Sequence, residues 1–343
     1  MADVATNSSY GSISRSQAGH VVAKALAHAK PVTMLQKFGL PQPMPKNKGV
    51  AIYWRRPKTF PVNLATLALT EGVTPDQQAF DYDRANATLV QYGAVSMITD
   101  VVGDTNEDPV MMDCAEMMGE QAGLTSEMIV WGELKAGTNV KWSSSQGASA
   151  AAITDVDQKL TNLMQSQAIR DIKNQKGRKF TSVIEGTVKV GTKPVEPGYI
   201  AVAHTDCEDD IRAMTGFKTV SEYASMKPIC PEEIGSVKDV RYLLSPELNP
   251  TTDAGAAVGV TGLVTSGTKV DVYPVIYLAK EAFGVVPLAG SSSLHPSIIN
   301  PGKISKSDVL GQRGYCGWKT WLVAKILNDN WIVQVQVGVS NLY

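Results

Sequence analysis

Four cysteines and four histidines in 343 residues leave little from which to build a metal centre or a thiol active site. Cys114, Cys207, Cys230 and Cys316 contain no CxxC pair, and His20, His28, His204 and His295 are equally dispersed. Metal sites of this donor type use ligands paired at short spacing, so only His204 with Cys207 has a spacing to consider. The dispersed cysteines suggest reduced thiols in a cytoplasmic setting. The first twelve residues, MADVATNSSYGS, agree, because they lack a basic-then-apolar export signal. No apolar run approaches the ~20 residues of a membrane-spanning helix, and no membrane partner is expected. There is no GxxxxGK[ST] and no GxGxxG, while GVTG and GQRG lack the strand–turn–helix frame of a phosphate loop. Ser293 and His295 are close in sequence, but the stretch reads as a turn. No cofactor is implied, and no internal repeat is visible.

What is present suits an ordered protein with a large core and room for two domains: 43% of residues are hydrophobic and 19% charged. The net charge of −1 conceals an asymmetry. Residues 1–60 hold nine Lys/Arg and one acid, a net of +8; residues 61–135 hold two Lys/Arg and thirteen acids, a net of −11. The plain explanation is a solvated basic tail beside an acidic domain. The sharper one is a basic arm lying on the acidic region of a neighbouring copy, steered there by opposite fields. No interleaved aromatics support nucleic-acid binding by the arm.

Residues 1–47 read as that arm, with a short helix around Ala18–Ala29 and an extended LPQPMP at Leu40–Pro45. Val50, Ile52 and Trp54 alternate as a strand, and Thr88–Asp100 returns to strand composition after a polar excursion over 60–87. The pattern predicts an extended two-stranded loop, too long for a compact monomer and best explained if it rests on another subunit. Its charged residues Arg55, Arg56, Lys58, Glu71, Asp76, Asp81, Asp83 and Arg84 are the candidate inter-subunit contacts.

A long helix is predicted over about 106–135, capped by Thr105 or Asp108, with Met111, Ala115, Met118, Ala122 and Ile129 on one stripe and Gly137 as terminator. A second helix is predicted from Thr154 to Gly177, its apolar face formed by Val156, Leu160, Leu163/Met164, Ala168 and Ile172. Arg170, Lys173, Lys176, Arg178 and Lys179 crowd its end, either complementing the helix dipole or forming a ligand patch. WKTWLVAKIL and WIVQVQVGV flank Asn328-Asp329-Asn330 and read as a terminal hairpin, its last strand with one buried face.

HTDCEDDI, residues 204–211, looks most like chemistry. As a metal site it supplies only two ligands. As a nucleophile, Cys207 faces carboxylates that raise a thiol pKa. We read it instead as a helix start: Thr205 and Glu208 in a capping box, acids in the first turn, and Cys207, Ile211 and Met214 on an inward stripe. A hydrolase using His204 and Cys207 is the less favoured alternative.

LTEGVTP (69–75), ATLVQYGAVSMITD (87–100), HTDCEDDIR (204–212), EEIGSVKDVRYLLSP (232–246), DVYPVIYLAKEAFG (271–284) and LGQRGYCGWK (310–319) occur in this order. Together, over about residues 68–337, they resemble the major capsid proteins of tailed bacteriophages, in the subgroup that includes the head protein of phage N4. The resemblance implies an α+β, HK97-like capsid fold: arm 1–47, extended loop and flanking strands 48–104, peripheral domain with a long spine helix 105–152, axial domain 153–310, and C-terminal strands 311–343 returning to the peripheral domain. It implies self-assembly as hexamers and pentamers into an icosahedral head around double-stranded DNA held without sequence specificity. Scaffolding, portal and decoration proteins are the further partners implied. The implied location is the virion capsid, assembled in the host cytoplasm. No removable scaffolding segment is evident ahead of the short arm, so a separate scaffolding protein is expected; no cross-linking signal is recognisable. An encapsulin-type shell shares the fold and is the alternative.

Overall fold

The computed structural model describes residues 33–342, apart from residues 70, 73, 75–76, 106–109, 148–149, 186–190, 224–227, 258–261, 289–294, 303 and 305–307. The helix expected around Ala18–Ala29 therefore lies outside the described residues, as does Asp108. In chain order the strands are β1 (Leu40–Pro41), β2 (Ala51–Pro57), β3 (Tyr82–Thr88), β4 (Val90–Thr99), β5 (Val140–Trp142), β6 (Phe180–Glu185), β7 (Gly191–Ala203) and β8 (Phe217–Thr219). They continue with β9 (Glu233–Val237), β10 (Val240–Leu244), β11 (Tyr273–Leu278), β12 (Phe283–Pro287), β13 (His295–Ile299), β14 (Arg313–Ile326) and β15 (Ile332–Val337). The helices are α1 (Leu64–Leu67), α2 (Asp100–Thr105), α3 (Val110–Lys135), α4 (Asn162–Asn174) and α5 (Glu208–Arg212). None of them is long and apolar enough to cross a membrane.

An eight-stranded mixed sheet runs β5-β15-β11-β7-β10-β9-β8, with β6 added on β7. Every residue of β10, β11 and β15 is buried. These strands read as continuous apolar runs because both sheet faces are covered. On one face, Ala201, Ala203, Tyr242, Tyr277, Val333 and Val335 pack under Ile169 and Ile172 of α4 and Cys207 and Ile211. On the other, Ile200, Val202, Leu243, Ile276 and Leu278 pack against Val130, Trp131 and Leu134 of α3. The period-two alternation of each strand thus feeds two cores at once. A five-stranded sheet, β1-β12-β14-β13 with β4 on β14, carries the other flank of α3.

The arm expectation changes near its end. A short 3-10 helix, Leu35–Phe38, buries Leu35 and Phe38 together with the preceding Met34 in the second core, and β1 pairs in parallel with β12. Glu127 of α3, 1% exposed, accepts the Met34 and Leu35 backbone N–H groups at 3.0 and 2.9 Å. Burial pushes the Glu127 carboxyl up, more than the two N–H groups pull it down. A raised folded-state pKa contributes stability that is full below the unfolded value and is lost as pH rises through the folded one. Unfolding in urea from pH 4 to 8 should show this slope flattened in Glu127→Gln. Glu127→Ala, which orphans two buried donors, should cost about 2–4 kcal/mol, the larger cost at low pH.

Four further expectations are corrected. The second helix begins at Asn162, capped by Thr161, because Val156–Leu160 is extended; Val156 and Gln158 carbonyls accept from Ala256 and Gly338. Leu163 is consequently exposed. At its far end, Lys173 and Lys179 both reach Asp239 (2.8 and 2.9 Å), tying α4 to the β9–β10 turn. The terminal segments form no hairpin: β14 and β15 join different sheets across a 3-10 turn, Asp329–Trp331. The glutamines of β15 are buried rather than solvated, since Gln334 Nε2 donates to the Leu134 carbonyl at 2.7 Å and so caps the C-terminal end of α3. Finally, the loop pairs β2 with β3, inside the stretch read as polar excursion, while Thr88–Asp100 supplies β4 of the five-stranded sheet.

Candidate assembly surface

The β2–β3 ribbon is a two-stranded sheet of its own. Its root is apolar: Ile52 and Trp54 pack with Met44, Leu89 and Val286 beside β14. Its inward alternation ends there, and beyond it polar and aromatic side chains face water.

The cross-strand register sets the electrostatics. Arg55 stands opposite Arg84, Arg56 opposite Asp83, and Pro57 opposite Tyr82. Arg56 meets Asp83 at 2.9 Å, while Lys58 meets Asp81 at 2.6 Å and Asp83 at 3.5 Å. Lys58 holds the Asp81 carboxyl below the ordinary carboxylate range, and Arg56 does the same for Asp83. Depressed carboxylate pKa values contribute stability above the unfolded value and lose it as pH falls through the folded one. A carbon-detected NMR titration should therefore place Asp81 and Asp83 below 3.8, and Lys58→Ala should return Asp81 toward that value. These pairs are solvent-exposed, so they align the ribbon more than they stabilise it.

Of the eight candidate contacts, Arg56, Lys58, Asp81 and Asp83 thus have partners within their own chain. Arg55 lies over the Tyr82 ring, 5.8 Å from its centroid. Arg55 and Arg84, like charges directly opposed on the exposed face, repel one another in a single copy. Glu71 is exposed near the tip, and Asp76 lies outside the described residues.

Charge alone does not describe this surface. Beyond the ion pairs the tip is apolar and bare: Val62 is 78% exposed, Leu64 79% and Leu69 75%, with Phe60, Leu67 and Phe80 also exposed. Phe80 stacks edge-on against Tyr82 at 4.7 Å and sits 6.1 Å from Phe60. The selection of charged candidates missed these residues. The available signal was FPVNLATLAL, residues 60–69, whose apolar content is out of place in a solvated loop.

The HTDCEDDI cluster is built differently from a capping box and from an active site. His204 is the cap, its Nδ1 accepting the Asp206 N–H at 3.1 Å, and a 3-10 turn leads into the five-residue α5. Cys207 is 1% exposed, and burial, then Asp210 and Asp206, push its thiol far up. A neutral, enclosed sulfur has lost the thiolate character that nucleophilic attack needs. The acids have structural partners: Asp206 accepts from the Tyr273 hydroxyl at 2.9 Å, and Asp210 accepts from Ser340 N and Oγ at 2.9 and 2.6 Å. Among the described residues no group of three or more His, Cys, Asp or Glu is placed to hold a metal ion.

No protein-family model and no curated protein matches the chain. Solved structures do. It is similar to the capsid of Ralstonia phage GP4, with a TM-score of 0.64 and 8% identity over 98% of this chain and 99% of that one. The capsid asymmetric unit of cyanophage Pam1 gives 0.62 and 14% over 95% and 97%. The capsid structure of cyanophage P-SCSP1u gives 0.59 and 12% over 94% of each chain. Identities this low carry the fold, and coverage this high takes in the ribbon, α3 and both large sheets. The chain has the α+β, HK97-like fold of tailed-phage capsid proteins.

Proposed function

We propose that this chain is a major capsid protein whose copies assemble, as hexamers and pentamers, into an icosahedral head enclosing the double-stranded DNA of a tailed phage. The observation that carries the reading is the ribbon tip. A cluster of bare apolar side chains on an ion-paired ribbon calls for a surface that a single copy does not supply. In this reading residues 1–47 are the arm, 48–104 the extended loop with its flanking strands, and 105–152 the peripheral domain. Residues 153–310 are then the axial domain and 311–343 the closing strands. The tip, with Arg55 and Arg84, lies on a neighbouring copy, and Glu71 and Asp76 belong to the same contact.

The role is structural rather than enzymatic. A net charge of −1 suits a lumen that holds DNA without sequence specificity, since a strongly basic lining would grip its phosphates too tightly. Scaffolding, portal and decoration proteins are the other partners, and the location is the virion after assembly in the host cytoplasm. Electron microscopy of the purified chain across a salt series should show capsomers or shells; monomers under every condition would overturn the proposal. Packaged cargo enzyme in place of DNA would favour an encapsulin-type compartment.

The arm is tested by removing residues 1–32, not 1–47, because Met34, Leu35 and Phe38 belong to the core. The shorter deletion takes away Arg15, Lys24 and Lys30. It should lower assembly yield, by light scattering, at unchanged monomer stability; undiminished shells would show that these charges are solvated only.

A further inference from the structure

The four cysteines are far apart in sequence, yet two of them meet. Helix α3 runs alongside β14 in a fixed register. Near its start, Met111 Cε lies 2.9 Å from where a Cβ on Gly314 would stand. Further along, Trp318 Nε1 donates to Gln121 Oε1 at 3.0 Å, and at the far end Lys325 reaches Glu133 at 2.9 Å. Cys114 and Cys316 fall between the first two of these contacts. They share a small apolar cluster with Ile98 and Val102, and are 7% and 1% exposed. The two buried side chains therefore belong to one and the same packing cluster, apart from the other cores. Both are free, as are the buried Cys207 and Cys230, which belong to two other cores.

We propose that Cys114 and Cys316 are a latent disulfide site that, in an oxidising medium, covalently staples α3 to β14. The contacts at Gly314, Trp318 and Lys325 hold helix and strand in register on either side of the two cysteines, which is the backbone condition a disulfide requires. The oxidant is a low-molecular-weight disulfide such as glutathione disulfide. One cysteine, as thiolate, attacks a glutathione sulfur and releases glutathione as thiolate, leaving a mixed disulfide. The second cysteine, deprotonated, attacks the protein sulfur of that mixed disulfide and expels the other glutathione. Two protein thiols are thereby oxidised to one cystine, glutathione disulfide is reduced to two glutathiones, and the protons pass to water and product. Burial raises the Cys316 thiol, which lowers its thiolate fraction and makes the reaction slow.

The cross-link would close a loop of roughly 200 residues, among the longest a single disulfide can constrain in the unfolded chain. It would thus harden the chain after folding without altering the exposed ribbon.

The test uses the full-length purified chain, folded, equilibrated for a day with glutathione disulfide or with a phosphine reductant. The protein is then unfolded, alkylated and digested for mass spectrometry. The expected result is a Cys114–Cys316 linked peptide in the oxidised sample, with Cys207 and Cys230 alkylated. The thermal midpoint of that sample should lie several degrees above the reduced one. Cys316→Ser should abolish both the linked peptide and the midpoint difference. Four alkylated cysteines after oxidation, glutathione adducts alone, or cross-links between chains would each overturn the proposal.

Discussion

Replacing Leu64 and Leu67 by aspartate is expected to abolish shell formation while leaving the unfolding midpoint of the single copy unchanged. Both side chains are exposed at the ribbon tip, so the folded monomer loses no core contact. In an assembly each buried Leu or Val would contribute about 1.5–3 kcal/mol of transfer free energy. The tip's aliphatic and aromatic side chains then supply on the order of 10 kcal/mol before the costs of association are met. Two carboxylates placed in that contact remove part of this and add the desolvation of two charges. Contact affinity should fall by about a thousandfold or more, read as loss of fast-sedimenting species in analytical ultracentrifugation. The conservative pair Leu64→Met and Leu67→Met should assemble normally. Shells formed by the aspartate variant at ordinary yield would remove the tip from the assembly contact.

The largest effect on the monomer itself is expected at Glu233. Its carboxylate is enclosed with Arg241, whose Nη1 lies 3.3 Å from Oε1. It also accepts the Tyr223 hydroxyl at 2.9 Å and the Ile229 N–H at 2.6 Å. The Arg241 guanidinium sits 5.3 Å from the Tyr223 ring centroid, so cation, ring and carboxylate form one unit. Glu233→Ala removes the buried carboxylate that faces the Arg241 guanidinium, the Tyr223 hydroxyl and the Ile229 N–H, and should cost about 3–5 kcal/mol. The double change Glu233→Leu with Arg241→Met removes both charges together and should cost much less than Glu233→Ala. Urea unfolding of the wild type, Glu233→Leu, Arg241→Met and the double variant measures the coupling. If both substitutions simply add, the pair is not interacting as the geometry requires.

The two variants separate two properties that residue types alone confound. Arg56, Lys58, Asp81 and Asp83 looked like groups seeking a partner on another copy because they were counted as exposed charge. Cross-strand register pairs them at home. The apolar stretch of residues 60–69 looked unremarkable because single apolar residues are common in any loop. Its meaning emerges only when the structure leaves Phe60, Val62, Leu64, Leu67 and Leu69 uncovered together. In HTDCEDDI the inward stripe of Cys207, Ile211 and Met214 was legible, since i, i+4, i+7 spacing is a local property. The capping box was not realised: His204 caps the turn through the Asp206 N–H, and the Glu208 carboxylate turns instead to Arg212.

Local patterns were therefore enough for the long helix α3, the strand character of β15, the two-stranded character of the loop and the inward face of Cys207. Each is written in spacing of two or of three to four residues, and each is enforced by burial of whatever faces inward. Pairing is a different matter. The alternation along β14 and β15 is the same whether they form a hairpin or join two sheets. What separated them was the cover available: β15 pairs edgewise with β5 and β11 and is buried on both faces, and its Gln334 closes the C-terminal end of α3. The same long-range choice brought Glu127 to the arm and Cys114 to Cys316. Nothing in sequence spacing encodes those meetings, because they depend on how α3 lies against the strands that flank it.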